Sequence, residues 1–437
     1  MWVLDRFNFL KILGKPIMKI AFMINHFPVL SETFILEQIT SLVDRGYEVD
    51  IYAERIADTV KIHSKVASYN LSEHTFYFEE PSNYFWKIFK ALKLLIYHLI
   101  RRKNWDNFLI ILETLNVFKY GKISASLTLF YATVHLLDKR PVYDIIHCHF
   151  APNGIKAIIL RELGVIKGRV ITTFHGYDVN KKFMREYVEM YKHILYLGDS
   201  YTVNTTFTGN MAIELGCPPD KIFKLPVGID ISEYNFQEKI LRANETIKLI
   251  TVARLVEKKG IEYSIRAVAR VLKNYSNIEY NIIGDGPLRK SLEKLTTELK
   301  ITNKVKFLGW QTQDEIRQIY ADSHIFILSS VTASDGDKEG QGLVLQEAQA
   351  MGLPVLSTLH NGIPDGVLDG KSGFLVPEKD VEALADKLGY LVEHPETWSS
   401  MGLAGRLFVE KNYDIRILND KLIEIYKNIP NPNLIEQ

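Results

Sequence analysis

Two carboxylates and two cations carry the chemistry that this chain spells most clearly. Glu339 and Glu347 stand in the stretch VTASDGDKEGQGLVLQEAQAMGLPVLSTLHNG, residues 331–362. If both belong to one helix, the eight steps between them cover roughly 12 Å at about 1.5 Å per residue. That exceeds the roughly 5–9.5 Å between paired glycosidase carboxyls, so the two acids do not serve one bond. The spacing suits an elongated ligand gripped at two points. Glu339 falls at the expected helix mouth, beside N–H groups that the helix cannot satisfy. A surface helix carrying two solvated acids would show the same spacing. Arg254 and Lys259 bracket a short loop between the strand pattern Lys248–Ala253 and the helical pattern Ile261–Leu272. A forked guanidinium with an ammonium nearby suits a diphosphate. The alternative is that Arg254 pairs with an acid and Lys259 is solvated.

His175 stands where an apolar strand pattern runs out into His175-Gly176-Tyr177-Asp178. Either a ligand group or a turn-capping histidine belongs there. His147 and His149 alternate on an apolar strand pattern and read as core or supporting residues. Gly284-Asp285-Gly286-Pro287 is not a GxGxxG loop, but its glycines permit a tight turn and a close ligand approach. Trp310, after Gly309, can face a flat ring.

These residues need elements to hold them. Ile20–Ile24 reads as a buried strand, Asn25–Pro28 as a turn, and Ser31 as the cap of a helix running to Arg45-Gly46, with a strand at Tyr47–Tyr52. That is a βαβ unit, so the sheet is parallel with both faces covered, and residues 25–33 are candidates to line a cleft. Residues 81–138 interrupt the alternation with helical periodicity. Their segment 84–103 is aromatic and basic (Trp86, Phe89, Tyr97, with Lys87, Lys90, Lys93, Arg101, Arg102 and Lys103), which suits either an anionic membrane surface or a helical hairpin packed on the domain. Strand and helix then alternate again from Tyr143, with Ala151–Gly154 read as a turn and Ile155–Leu163 as a helix. A polar linker follows Leu225, and a second α/β set begins at Lys248. The expected organisation is an extension at 1–17, a first domain at 18–225 with the 81–138 insertion, a second domain at 226–411, and a segment 412–437 whose helix returns to the first domain.

Composition bounds the function. The 437 residues suffice for two cores, and 47% hydrophobic with 24% charged is ordinary for a globular chain. With 53 Lys+Arg against 52 Asp+Glu there is no global field for nucleic acid, so any anion site must be local. Cys148 and Cys217 lack metal-ligand spacing and read as buried thiols in a reducing compartment. With no apolar run long enough to span a bilayer and no signal-peptide pattern, the expected location is cytoplasmic.

The motifs ARLVEKKG (253–260), IIGDGP (282–287), EGQGLVLQE (339–347) and GIPDGVLDGKSGFLVP (362–377) occur in the order and spacing of the family 4 glycosyltransferases. FPVLSETFILEQITSLVDRGYEV (27–49), IIHCHFAPNG (145–154) and FHGYDV (174–179) resemble the colanic-acid and exopolysaccharide branch of that family. The resemblance spans about 18–425. It implies an α/β GT-B fold, two Rossmann-like doubly wound parallel-sheet domains facing across a cleft. It implies a retaining, metal-independent transfer from a nucleotide-sugar donor to a growing, lipid-linked oligosaccharide, without a cofactor. Arg254 and Lys259 would hold the donor diphosphate, and Glu347 the ribose hydroxyls. Glu339 would sit at the donor sugar beside the N–H groups of Gly340, Gln341 and Gly342. His175 would reach that sugar from the first domain, and Gly284 and Trp310 would lie near the base. Two features depart from the family: the acidic Asp335-Gly336-Asp337 loop, and Asp365 where glutamate is common. A nucleotide-sugar hydrolase or epimerase and a non-catalytic polysaccharide-binding subunit are the competing classes. The first predicts donor turnover without acceptor, the second none.

Overall fold

The computed structural model describes residues 18–28, 33–56, 64–78, 80–101, 105–176, 178 and 191–430. The expected extension at 1–17, the Ser31 cap, Arg102, Lys103 and Tyr177 lie outside the described residues.

Runs such as IAFMI, IIHC and LITV are mostly apolar, with a buried His147 and Thr251 among them, as strands buried on both faces require. They form β1 (Lys19–Phe27), β2 (Glu48–Ile56), β3 (Thr75–Tyr77), β4 (Val142–His149), β5 (Lys167–Phe174), β6 (Ser200–Val203) and β7 (Ile222–Lys224). These make one sheet in the order β3-β2-β1-β4-β5-β6-β7, with every pairing parallel. The second sheet uses β8 (Ile247–Val252), β9 (Ile278–Ile283), β10 (Val305–Gly309), β11 (Ile325–Leu328), β12 (Val355–Thr358) and β13 (Gly373–Val376). Its order is β10-β9-β8-β11-β12-β13, again all parallel. The chain divides into two compact units: Pro226–Leu418 with Asn204–Phe207 make the second, and the described residues before Pro226 otherwise, with 419–430, the first.

Parallel order dictates where ligands go. In each sheet the strand sequence reverses direction once, between β1 and β4 in the first unit and between β8 and β11 in the second. The crevice beyond the carboxyl ends of the strands at such a switch point is the expected ligand site.

The structure corrects several readings. The expected turn at Asn25–Phe27 is strand: β1 stays paired with β2 as far as Phe27 opposite Ile56. The expected turn at Ala151–Gly154 is the first turn of helix Ala151–Glu162. Pro152 is at home there, because its missing N–H would lack an acceptor anyway. Gly154 is required by packing, since a Cβ would come within 2.2 Å of Thr172 Oγ1 on β5. The short strands β3 and β7, at the sheet edges, carry no alternation long enough to read. Among the described residues the insertion forms four helices rather than a hairpin: Tyr84–Arg101, Trp105–Glu113, Val117–Ala125 and Thr128–Leu137. Within it Lys87 is not on a solvated basic edge. It is buried and ion-paired with Glu80. Cys148 and Cys217 are buried free thiols.

Candidate active site

In the second unit the loops after β8 and β11 meet at the switch point. Lys259 and Glu339 are ion-paired, with 16% and 12% of their side chains exposed. Burial pushes the Glu339 carboxyl up, but Lys259, with Lys258 and His360 beyond it, holds it below the usual range. The alternative of a solvated Lys259 is therefore wrong. Arg254, at the carboxyl end of β8, is exposed, and its side chain makes no hydrogen bond or ion pair among the described residues. The loop is held by close backbone approach: Gly260 adopts φ +61°, and a Cβ there would strike the Ser329 carbonyl at 1.8 Å.

Glu339 is not on the helix. The helix is Val344–Ala350, so the 12 Å ruler fails, and Glu339 belongs to the preceding loop. What places it is His360, just beyond β12. The Glu339 N–H donates to His360 Nε2 at 3.0 Å, while His360 Nδ1 meets Glu378 Oε1 at 2.5 Å. An acceptor at Nε2 requires the proton on Nδ1, donated to Glu378. Glu378 also accepts from the Thr332 N–H at 2.7 Å, joining the ends of β11 and β13. His360 and Glu378 escaped the sequence reading, although both follow short apolar strand patterns, the same signal that singled out Arg254 and His175.

Between Glu339 and the helix the backbone is open. Gly342 turns through φ +74°, and the ladder begins with Leu345 N–H to Gly342 O at 2.9 Å. The N–H groups of Gly340, Gln341, Gly342, Leu343 and Val344 have no acceptor among the described residues. Five such donors near the Lys259 ammonium are of the kind that receives an anion. Gln341 contributes only its backbone, because its side-chain amide exchanges two 2.8 Å hydrogen bonds with Val227.

Glu347 sits in the helix and is buried, with Tyr320 Oη 3.4 Å from its Oε2. Burial pushes its carboxyl up to about 7, against hydrogen bonds from Tyr320 and Tyr234 and the nearby Arg317 charge. Those three neighbours were not foreseen. The folded carboxyl thus holds a proton between about pH 4.5 and 7 that the unfolded chain has lost. A ligand hydroxyl donating to Glu347 needs the carboxylate, so its binding strengthens as pH rises toward and past 7. The donor KM is expected to rise on acidification from pH 8 to 6, by at most about tenfold per unit. Glu347→Gln should flatten that profile, which initial-rate measurements across the range will check.

The GDGP glycines are closely packed by the chain itself. What approaches them is protein. A Cβ on Gly284 (φ +117°) would meet the Ala253 carbonyl at 2.0 Å, and one on Gly286 the Leu255 carbonyl at 2.5 Å. They fasten the Arg254 loop. Gly284 also donates to Gly309 at 2.8 Å, which sets the exposed Trp310 beside this turn. The acidic loop is likewise committed: Asp337 pairs with Lys258 at 3.1 Å, and Asp335 accepts the Asp337 N–H at 2.9 Å. Among the described residues no group of three or more His, Cys, Asp or Glu side chains could hold a metal ion.

In the first unit three imidazoles stack at the ends of β4 and β5. His147 and His149 lie 4.5 Å apart, and His149 and His175 5.2 Å apart. His149 Nδ1 is 2.9 Å from His175 Nε2, so His149 supports His175 directly rather than filling core. Burial pushes the His175 pKa down to about 3, keeping it neutral. Asp178 fixes the turn, accepting the His175 and Ala151 N–H groups at 2.9 and 2.8 Å.

Two doubly wound parallel sheets, one bearing an anion site of loop N–H groups and a lysine at its switch point, define a GT-B glycosyltransferase. The comparisons agree. Residues 31–233 match the model described as Glycosyltransferase Family 4, and residues 233–408 that of Glycosyl transferases group 1. WcaL of Salmonella typhimurium, whose name assigns it to colanic acid biosynthesis, is 33% identical over 94% of this chain and 100% of its own. The amylovoran biosynthesis glycosyltransferase AmsK of Erwinia amylovora is also 33% identical, over 94% of this chain and all of its own. The crystal structure of Anabaena HepE with UDP and glucose superimposes with a TM-score of 0.63 at 17% identity, covering 93% of this chain and 98% of that one. The chain belongs to the family 4 glycosyltransferases, and it is homologous to the exopolysaccharide biosynthesis enzymes of that family.

Proposed function

We propose that this glycosyltransferase moves a sugar from a nucleotide-sugar to a hydroxyl of a lipid-linked oligosaccharide, with retention and without a metal ion. The observation that carries the proposal is the Lys259–Glu339 pair lying beside five open N–H groups at the second unit's switch point. An acceptor oxygen forms its bond to the anomeric carbon as the bond to the diphosphate oxygen breaks. The leaving diphosphate takes the electron pair, and its oxygen takes the acceptor proton. Arg254, Lys259 and the N–H groups of Gly340–Gly342 offset that developing charge, and Glu339 positions the sugar. Glu347 accepts from the ribose hydroxyls, Trp310 lies along the base, and a neutral His175 hydrogen-bonds the transferred sugar. HepE, which shares the fold, was crystallised with UDP and glucose.

The test is a thermal-shift screen of UDP-, GDP- and ADP-sugars in EDTA, followed by turnover assays. At least one donor should raise the Tm, and turnover should survive EDTA. Stabilisation by none would contradict the donor assignment, and activity lost in EDTA but restored by manganese would contradict the metal-free step.

The acceptor's lipid places the enzyme against the inner face of the cytoplasmic membrane. Among the described residues no helix is long and apolar enough to cross a bilayer. The insertion nevertheless exposes Phe85 (74%), Trp86 (59%), Ile100 (68%), Trp105 (67%) and Phe118 (100%), with Lys93 among them. Such a surface matches an interfacial lipid contact more closely than a solvated face. The chain is expected to cosediment with anionic vesicles, and Phe85→Ser/Trp86→Ser to release most of it. Unchanged partition of that variant would refute the contact.

A further inference from the structure

His149 ends β4 opposite Thr173 on β5, and His175 follows Thr173 by two residues, which brings the two imidazoles together on one face of the first sheet. The His149 ring is buried, packed against Phe22, Phe34 and His147. Its Nδ1 lies 2.9 Å from His175 Nε2, and this is the side chain's one hydrogen bond among the described residues. Its Nε2 is buried with no hydrogen-bond partner there. His147 has nothing to offer it, because Tyr426 Oη and Thr173 Oγ1 engage the two His147 nitrogens at 2.6 and 2.7 Å. Phenylalanine or leucine would fill such a place without burying a polar atom short of a partner. What an imidazole adds at 149 is therefore the contact to His175.

The direction of that contact follows from the orphaned nitrogen. Burial keeps both rings neutral, so each carries one ring proton and only one of the two facing nitrogens donates. Were His175 Nε2–H the donor, the His149 proton would sit on Nε2 as a buried N–H without an acceptor. Native interiors hold an orphaned N–H less often than an acceptor short of a partner. With His149 Nδ1–H as the donor, His149 Nε2 is only a bare lone pair, and the His175 proton is on Nδ1.

We infer that His149 is a positioning residue: its Nδ1–H donates to His175 Nε2, which holds His175 in the tautomer whose Nδ1–H donates to a hydroxyl of the transferred sugar. The inference rests on the proposed contact between His175 and that sugar. Without His149 the His175 proton would divide between the two nitrogens, and part of the population would meet the sugar as an acceptor.

The test uses the full chain labelled with nitrogen-15 histidine, in which protonated and bare ring nitrogens resonate far apart. The His175 signals are assigned by their loss in His175→Gln. The parent chain should show His175 protonated at Nδ1 and bare at Nε2, and His149→Leu should move that proton toward Nε2. Kinetics then separates positioning from packing. Asparagine can place an amide N–H where Nδ1–H stands, so His149→Asn should keep most of kcat, whereas His149→Leu should lower it about tenfold or more with the donor KM little changed. A packing role alone predicts the reverse order, since leucine fills the buried space with apolar volume and asparagine does not. Should His149→Leu not fold, the parent spectrum decides alone. A His175 protonated at Nε2 in the parent, or a His149→Leu variant that turns over like the parent, would overturn the inference. Parental kcat in His175→Gln would instead overturn the sugar contact itself, while the spectrum still reports the tautomer.

Discussion

Arg254→Ala is expected to lower kcat/KM by about 10²–10³-fold, the loss typical of removing one preorganised donor to developing charge. The same change should leave the melting temperature where it was. Arg254 is exposed and its side chain has no partner among the described residues, so truncation strands nothing. Its loop is fixed independently, by the Leu255 N–H to Asp285 O bond at 2.9 Å and by the two GDGP glycines. Arg254→Lys should recover only part of the loss, because an ammonium cannot bind two phosphate oxygens through one planar fork. Steady-state kinetics beside a thermal melt reads both quantities. A large fall in Tm would show that Arg254 is structural.

Lys259→Ala should behave differently. It removes the cation from a largely buried carboxylate, and breaking such a pair costs about 3–5 kcal/mol. The lower end is expected here, because Lys258 still contributes favourable charge at Glu339. Activity should fall at least as far as in Arg254→Ala, since the same ammonium faces the open N–H groups. Adding Glu339→Gln to Lys259→Ala removes the stranded charge, so the double variant should regain much of the stability and none of the activity. Denaturant melts of the two variants test this. Equal stability of Lys259→Ala and the parent chain would mean the pair is solvent-screened.

The contrast marks what could be read in advance and what could not. Parallel strands buried on both faces are dominated by apolar and β-branched residues, so β8, β9 and β11 were legible almost to the residue, and Arg254 and Lys259 followed from standing at a strand's end. The Glu339–Glu347 geometry was not legible. EGQGLVLQE has helical spacing throughout, but Gly342 adopts a left-handed turn and opens the helix only at Val344. No local pattern distinguishes that from a continuous helix. The Lys259–Glu339 pairing joins residues far apart in the chain and depends on which strands adjoin, a property of sheet order that periodicity does not encode. For the same reason the packing of the GDGP glycines on the Arg254 loop was not legible. A glycine needed for close approach does not reveal whether a ligand or another loop approaches.

We propose that arginine, lysine and open backbone N–H groups neutralise a donor diphosphate. Isothermal titration in EDTA measures this directly, using the nucleoside diphosphate and monophosphate of whichever base the donor screen identifies. The diphosphate should bind at least tenfold more tightly than the monophosphate, with the difference largely gone in Arg254→Ala. Equal affinities for the two nucleotides, or a preference untouched by the Arg254 substitution, would contradict the account.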